Sequence, residues 1–189
     1  MEDYSDKKLM KLVVERNSQA FKILYQRYEL QIFNFILNYT GRRELAQDLL
    51  QETFTRVWFA AHTFNLKKGN FREWVYTIAL NITRNEMSKK QYDYQYVDVS
   101  EIFGGNHEPI HPETEQPDVK LNQSELKDTI LRLLGQLNPH LREIIILKHY
   151  QQLKFREIAQ ITKMPEGTLK ARFHRAIAQL KVLLEPLEL

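Results

Sequence analysis

The chain has 189 residues, 43% of them hydrophobic and 27% charged, with no cysteine and a formal net charge of +3. The absence of cysteine excludes a disulfide scaffold, a thiolate metal site and a cysteine nucleophile. The longest apolar run, residues 57–61, has five residues, far fewer than the roughly 20 that a membrane-crossing helix needs, and the charged N-terminus is not typical of a secretory signal, so we expect a cytoplasmic protein without direct membrane insertion.

The charge divides the chain into three segments. Residues 1–90 carry a net charge of +5, residues 91–120 one of −6 and residues 121–189 one of +4. The middle segment also holds five of the chain's glycines and prolines and shows no apolar period, which is typical of a linker. We therefore predict an all-α protein with two small helical domains, over 1–90 and 121–189, joined by a flexible acidic linker over 91–120.

Three helices are predicted in the first domain. Apolar residues recur at spacings of three and four over 20–39, 46–58 and 71–82, as in helices that bury one face. Gly41 is a stop signal for the first helix, and the turn 68–70 precedes the third. Because no window alternates with a period of two, the domain is predicted to be a helical bundle.

The second domain is predicted to contain four helices. The first begins near Ser124 and breaks at Asn138 and Pro139, which open the next helix because Asn caps and Pro is tolerated in a first turn. A short helix over 155–161, a turn and a final helix opened by Pro165 follow. Two helices joined by such a short turn have the layout of a helix-turn-helix unit.

The final helix has one apolar and one basic side. Its apolar residues are expected to pack on Ile158 and Ile161, and they are Leu169, Phe173, Ala176, Ile177 and Leu180. The opposite side carries basic and small polar residues, which suit insertion into the DNA major groove. An ordinary solvated helix face is the alternative. The DNA-reading candidates are Thr168, Lys170, Ala171, Arg172, His174 and Arg175.

Motifs in both domains resemble one family. Residues 137–144 (LNPHLREI), 157–159 (EIA) and 165–176 (PEGTLKARFHRA) are similar to region 4 of sigma-70 type sigma factors of the extracytoplasmic-function (ECF) class. Residues 48–58 (DLLQETFTRVW) resemble region 2.2, and residues 71–81 (FREWVYTIALN) resemble regions 2.3 and 2.4. The resemblance implies a dissociable subunit that gives bacterial RNA polymerase its promoter specificity, with region 2 at the −10 element and region 4 at the −35 element.

The second predicted helix carries a polar stripe opposite its apolar residues. It consists of Asp48, Gln51, Glu52 and Arg56, which share one side at helical spacing. The resemblance implies that this stripe docks on the clamp helices of the β′ subunit of core RNA polymerase, while region 4 contacts the β flap. A plain solvated stripe is the alternative.

The loop 65–70 and the helix after it match the place where the family captures a flipped base of the −10 element. Holding a base out of the stack costs a few kcal/mol and needs a partner for its edge. Asn81 is the best candidate for that contact, because an amide both donates and accepts, and Lys67, Lys68 and Arg72 would hold phosphates. Trp74 is interpreted as core. The complete −10 set is Lys67, Lys68, Asn70, Arg72, Asn81, Arg84 and Asn85.

Three residues depart from the family pattern. Lys154 stands where a Ser or Thr N-cap is usual, so Glu157 lacks its capping-box partner. Lys163 occupies a turn position where many helix-turn-helix units have glycine, and we expect the turn to be strained or altered. Ala171 brings no polar atom to a position expected to meet bases. These departures bear on the −35 sequence that is read.

The family is usually held inactive by an anti-sigma factor, so such a partner is expected, and the acidic linker is hypothesised to lie in a basic channel of the polymerase. About 30 linker residues reach at most about 100 Å, enough for promoter elements about 60 Å apart. No cofactor, small-molecule substrate or enzymatic activity is expected. The HExxH match at 107–111 contains Pro109, which makes the helix that a zinc site needs implausible.

Two other functions remain open. A helix-turn-helix regulator that is not a polymerase subunit would also end in a basic reader, but it would begin with an α/β receiver or a ligand-sensing domain, and residues 1–90 show no strand pattern. A helical scaffold whose basic faces bind an acidic protein is the alternative without DNA.

Overall fold

The computed structural model describes residues 1–89 and 132–185, which are folded into helices and connecting turns. The predicted all-α class is confirmed. None of the helices in these two ranges combines the length and the apolar composition that a membrane span requires. The predicted linker, the HExxH match and the start of the helix predicted near Ser124 lie outside the described residues.

The N-terminal block, residues 1–89, is a bundle of helices whose bounds are α1 Asp6–Val14, α2 Ser18–Thr40, α3 Arg43–Phe59 and α4 Phe71–Lys89, with a 3₁₀ turn at Ala61–Thr63. Local signals set the ends of α2. The side chain of Asn17 accepts from the backbone N–H of Ala20 at 2.9 Å, and Gly41 ends the helix in the left-handed region at φ 67°, as glycine allows.

Helix α1 is an addition to the three helices predicted for this block. Its buried residues Leu9, Met10 and Val13 lie at spacings of three and four, so the sequence did carry a helical signal here, over a shorter stretch than in the other helices. The helix exists because this short apolar edge packs against α2.

The C-terminal block, residues 132–185, contains a helical segment over 132–136, α5 Pro139–Ile145, a π-helical segment Ile146–Tyr150, α6 Phe155–Thr162 and α7 Glu166–Leu184. Asn138 caps α5 as predicted, its side chain accepting from the N–H of His140 at 3.0 Å. The π segment was not predicted. It ends in a hydrogen bond from the N–H of Gln151 to the carbonyl of Ile146 at 3.0 Å.

The two blocks pack against each other. Ile144, Ile146 and Leu147 belong to the same buried apolar cluster as the core residues of α2 and α4. Arg142, only 4% exposed, donates to the carbonyl of Tyr39 at 3.1 Å and to that of Leu134 at 2.9 Å. The end of α2 and the start of the C-terminal block are thus joined through one buried guanidinium.

Candidate nucleic-acid and partner interfaces

The basic side of α7 faces solvent. Of the six residues predicted to read DNA there, Thr168, Lys170, Ala171, His174 and Arg175 are exposed. Arg172 is half-buried, and its Nη1 donates to the sulfur of Met164 at 3.0 Å. The helix therefore presents a set of donors and small side chains on a rigid element, with Arg172 held toward the preceding turn.

The apolar side of α7 is divided between two clusters. Leu169 is buried with Ile158 and Ile161, as predicted. Ala176 and Leu180 instead pack against residues of the 132–145 region, which corrects the prediction that the whole face packs on α6. The reading helix is anchored along its length by both neighbours.

The turn between α6 and α7 adopts the conformation that glycine favours. Lys163 has φ 59° and ψ 27°, in the left-handed region that costs a residue with a side chain about 1 kcal/mol. At the start of α6, Lys154 makes no side-chain cap, as expected. Glu157 still forms its own half of the box, accepting from the N–H of Lys154 at 2.7 Å.

The loop before α4 is ordered by its own side chains. The Asn65 side-chain oxygen accepts from the backbone N–H groups of Lys67 and Lys68 at 3.0 and 3.1 Å, and Asn70 accepts from the N–H of Arg72 at 3.0 Å. Gly69 donates to the Asn65 carbonyl at 2.6 Å. Both lysines of this loop are exposed, so the two residues predicted to contact phosphates are held on a defined turn.

The −10 candidates on α4 do not share one face. Asn81 and Asn85 are exposed, whereas Arg72 and Arg84 are half-buried. At about 100° per residue, Asn81 lies about 180° around the helix from Arg72. Trp74 is half-buried and packs edge-to-face on Phe64, with ring centroids 5.4 Å apart, which agrees with its interpretation as core.

Arg84 and Arg72 point toward the C-terminal block. The Arg84 guanidinium forms two hydrogen bonds to the carboxylate of Glu143, at 2.9 and 2.6 Å, and the Glu143 side chain is fully buried. Burial opposes the charge on Arg84, but its hydrogen bonds to Glu143 outweigh that effect and raise its pKa. Arg72 donates through Nη2 to the carbonyl of Gln151 at 2.9 Å.

The polar stripe of α3 is exposed as predicted. Asp48, Gln51, Glu52 and Arg56 all face solvent, opposite the buried side of the helix. Glu52 and Arg56 form an ion pair at 3.2 Å between half-exposed side chains. Pairs of this kind contribute under about 1 kcal/mol, so both residues remain available to a partner.

An aromatic groove lies beside this stripe and was not predicted. It has a volume of about 500 Å³ and is lined mainly by Phe21, Tyr25, Phe54, Trp58 and Phe59, with Gln51 at its edge. Phe59 is 64% exposed. The sequence did offer a signal for this groove. Aromatic residues are spaced four apart on both helices, at 54 and 58 on α3 and at 21 and 25 on α2.

Comparison with known proteins identifies both blocks. The family model for sigma-70 region 2 matches residues 24–92, and the model for sigma-70 region 4 matches residues 127–180. The chain is similar to the ECF RNA polymerase sigma factor SigW of Bacillus subtilis, at 30% identity over 185 residues that cover 96% of this chain and 97% of that one. It is also similar to the RNA polymerase sigma-H factor of Pseudomonas aeruginosa, at 27% identity, covering 96% and 95%.

Two solved structures share this fold. One is CnrH in complex with the cytosolic domain of CnrY, with a TM-score of 0.70 and 21% identity, covering 96% of this chain and 97% of that chain. The other is the sigma factor RpoE of Bartonella quintana in complex with the anti-sigma factor NepR, with a TM-score of 0.63 and 24% identity, covering 87% and 96%.

Proposed function

Because this chain belongs to the sigma-70 family and is an ECF sigma factor that directs transcription initiation, we propose that its two blocks perform different parts of that task. The N-terminal block docks on core RNA polymerase and captures the melted −10 element, and the C-terminal block reads the −35 duplex. The observation that supports this division is the exposure of the polar stripe of α3, the asparagines of α4 and the basic side of α7. The first two surfaces adjoin, since Glu52 and Arg56 line one shallow pocket with Asn85. A helix-turn-helix regulator outside the polymerase does not account for region 2.

At the −35 element, we infer that α7 enters the major groove. Arg175 and Lys170 offer charged donors to guanine edges and phosphates, and the methyl groups of Thr168 and Ala171 offer contacts to thymine. A bidentate arginine contact discriminates between bases by about 1–3 kcal/mol. Because Arg172 is tied to Met164, we assign it a phosphate or positioning contact.

At the −10 element, we infer that the exposed amides of Asn81 and Asn85 accept and donate to an unstacked base. Lys67 and Lys68 lie before the N-terminal end of α4, on a turn that Asn65 orders, and we infer that their charges stabilise the strand through its phosphates. Asn70 starts α4 beside this turn. Arg72 and Arg84 belong to the same set, and they would reach DNA only after release from the C-terminal block.

On the polymerase side, we propose that the α3 stripe and the aromatic groove form one docking surface. Gln51 belongs to both. The stripe supplies exposed charges for specificity, and the groove supplies apolar area, which contributes most of the affinity when a partner covers it. The β flap is the proposed contact of the C-terminal block, with residues 91–120 as the connecting linker.

We also propose an anti-sigma factor as a regulatory partner, since a solved sigma factor of this fold is bound to one. Such a partner would cover the same α3 surface and so compete with the polymerase. The chain is a transcription initiation factor, and we propose that it has no catalytic activity of its own and acts in the cytoplasm, where the polymerase transcribes.

Run-off transcription tests the proposal. Core RNA polymerase is incubated with a library of genomic templates, with and without the purified chain, and promoter-dependent transcripts are sequenced. We expect transcripts only when the chain is present, sharing two elements at a fixed spacing. If the chain yields no such transcript although it is folded and binds core polymerase, the proposed function is wrong.

A pair of variants tests the docking surface. Glu52→Lys reverses one charge of the stripe, and Glu2→Lys makes the same change at an exposed position ahead of α1. We expect Glu52→Lys to weaken binding to core polymerase about tenfold, or about 1.4 kcal/mol, with Glu2→Lys close to wild type. Equal effects from the two variants would remove the stripe from the interface.

A further inference from the structure

The turn before α7 is tied to the reading helix by a side-chain contact. The Nη1 of Arg172 donates to the sulfur of Met164 at 3.0 Å, between residues eight positions apart in the chain. Both residues are half-buried, and Met164 packs against the apolar cluster that holds Ile158 and Ile161. The arginine is therefore oriented by a residue that belongs to the turn and not to the basic side of α7.

The local backbone places Met164 beside the start of α7. Lys163 has the left-handed conformation at φ 59°, which turns the chain sharply after α6, and Pro165 caps α7 with an extended backbone at ψ 143°. Met164 lies between the two, at the N-terminal end of the helix. Because long side chains on a helix point back toward its N-terminus, Arg172 extends toward the turn, where the sulfur accepts its N–H.

Arg172 lies at the edge of the reading side of α7 and not at its centre. Around the helix it is about 60° from the buried Leu169, whereas Ala171 and Arg175 are about 160° and about 120° from that residue. The bases lie under the centre of a helix in the major groove, and phosphates lie along its sides. An arginine at the edge can therefore reach inward to a base or stay beside a phosphate, and the contact with Met164 favours the second position.

The contact occupies one part of the guanidinium and leaves the rest available. Arginine carries five N–H donors in a fixed fork, and a bidentate contact to guanine needs two of them aligned with the base edge. A phosphate contact has no such requirement, and it carries no sequence information directly. Because Nη1 is turned toward the sulfur, Arg172 keeps donors for a phosphate while its fork is directed away from the bases.

We propose that Met164 is a positioning residue of the −35 reader, whose sulfur holds Arg172 for a phosphate contact and so withholds it from base reading. The inference rests on the proposed function for the identity of the DNA and for the place of α7 in the major groove. It leaves the choice of bases to the outward side chains of α7 and gives a residue of the turn a part in sequence specificity. A thioether is a weak acceptor, so the held orientation is expected to be favoured about fivefold.

Three substitutions separate the role of the sulfur from that of the apolar side chain. Met164→Leu keeps the apolar volume and removes the acceptor, whereas Met164→Gln supplies an amide oxygen as acceptor on an unbranched side chain of similar length. The matched control is Met87→Leu, the same change at a half-buried methionine of α4. Exchanges between methionine and leucine are usually well tolerated, so both leucine variants are expected to fold.

The first readout is the affinity of the full chain for −35 duplexes from the run-off promoters, with each base pair replaced in turn and the salt concentration varied. Arg172→Ala alone should weaken binding to every duplex by a similar factor and reduce the salt slope by about 1. Met164→Leu should create a preference of about fivefold or more at one base pair, and adding Arg172→Ala should abolish it. Met164→Gln and Met87→Leu should keep the wild-type profile.

Four outcomes of this assay would each overturn the inference. They are an unchanged profile for Met164→Leu, a new preference that persists in the double variant, a Met164→Gln profile equal to that of Met164→Leu, and loss of a base preference on Arg172→Ala alone. The last of these does not require any change at Met164, so the test holds even if the substitutions there disturb the turn.

The second readout needs no DNA. The chain has four methionines, so ¹³C-labelled methionine methyl groups give few NMR signals, and that of Met164 is identified by its loss in Met164→Leu. Arg172→Ala should shift this signal, whereas Arg175→Ala, at an exposed position, should leave it in place; equal effects would overturn the inference. Failure of the proposed function would be seen separately, as absence of promoter-dependent transcripts while the methyl shift persists.

Discussion

The loop before α4 gives a prediction in which two glycines should respond with opposite sign. A Cβ at Gly69 would lie 2.5 Å from the carbonyl oxygen of Asn65 and 2.8 Å from ring carbons of Phe64. The same carbonyl accepts the hydrogen bond of Gly69, so it cannot withdraw without opening the turn. At Gly167, in the first turn of α7, a Cβ would meet nothing within 4 Å.

The expected magnitudes follow from these contacts. Overpacking of this kind costs about 1–3 kcal/mol, and replacing glycine gains about 0.4–1 kcal/mol by restricting the unfolded chain. Gly69→Ala should therefore lower the free energy of unfolding by about 1–2 kcal/mol. Gly167→Ala should raise it by about 0.5–1 kcal/mol, because alanine is the better helix former.

Urea unfolding followed by far-ultraviolet circular dichroism measures both variants against wild type. A gap of about 2 kcal/mol between the two alanine variants is expected. If the Gly69→Ala protein were as stable as the Gly167→Ala protein, the close approach of Asn65 and Phe64 to Gly69 would not constrain the loop. The loop variant should also reduce promoter opening while leaving −35 duplex binding intact, since α7 is in the other block.

Three further predictions concern single residues. Arg142→Met should lower the free energy of unfolding by about 3 kcal/mol, because it leaves buried carbonyls unpaired. The control, Arg175→Met at an exposed position, should change it by under about 0.5 kcal/mol. Equal losses of stability for the two variants in urea titrations would contradict this prediction. Lys163→Gly should raise the free energy of unfolding, by about 0.5–1 kcal/mol, since glycine adopts φ 59° without strain; a lower urea midpoint would show that the turn is not strained. Burial, and after it the nearby charge of Glu143, raises the pKa of Tyr39 from 10.0 to about 12. The neutral phenol therefore stabilises the folded state at pH values below the pKa of the unfolded chain, and this contribution is lost as the pH rises towards the pKa of the folded state. Tyr39→Phe should therefore lose less stability than wild type between about pH 9 and about pH 11, and parallel losses would argue against the burial of this hydroxyl.

Features encoded by a few neighbouring residues were predictable from the sequence. Gly41 ends α2, Asn138 caps α5 and Lys163 takes the turn conformation that its position requires, because each acts within one helical turn of itself. The exposed stripe of α3 followed from helical spacing alone. The π-helical segment did not, since an added residue per turn is decided by what packs around it and leaves no period in the sequence.

The placement of Arg72 and Arg84 shows what helical spacing cannot predict. Helical spacing predicts which residues of α4 face away from the core of their own block, and on that basis both arginines were expected to be accessible to DNA. It does not predict that the C-terminal block packs against them. One signal was present in the run of residues 141–147, LREIIIL, where Arg142 and Glu143 stand among apolar neighbours.

The apolar neighbours of Glu143 imply a cationic partner for it. A charged residue inside an apolar helical stretch is buried with its neighbours, and a buried carboxylate persists only with a cationic partner. Arg142 cannot serve Glu143, because adjacent residues on a helix point about 100° apart. His140 on the same helix lies 4.0 Å from the Glu143 carboxylate, and the two shorter contacts, at 2.9 and 2.6 Å, come from Arg84 of α4. Any relative that keeps an acid at this position is expected to supply an arginine from its own α4.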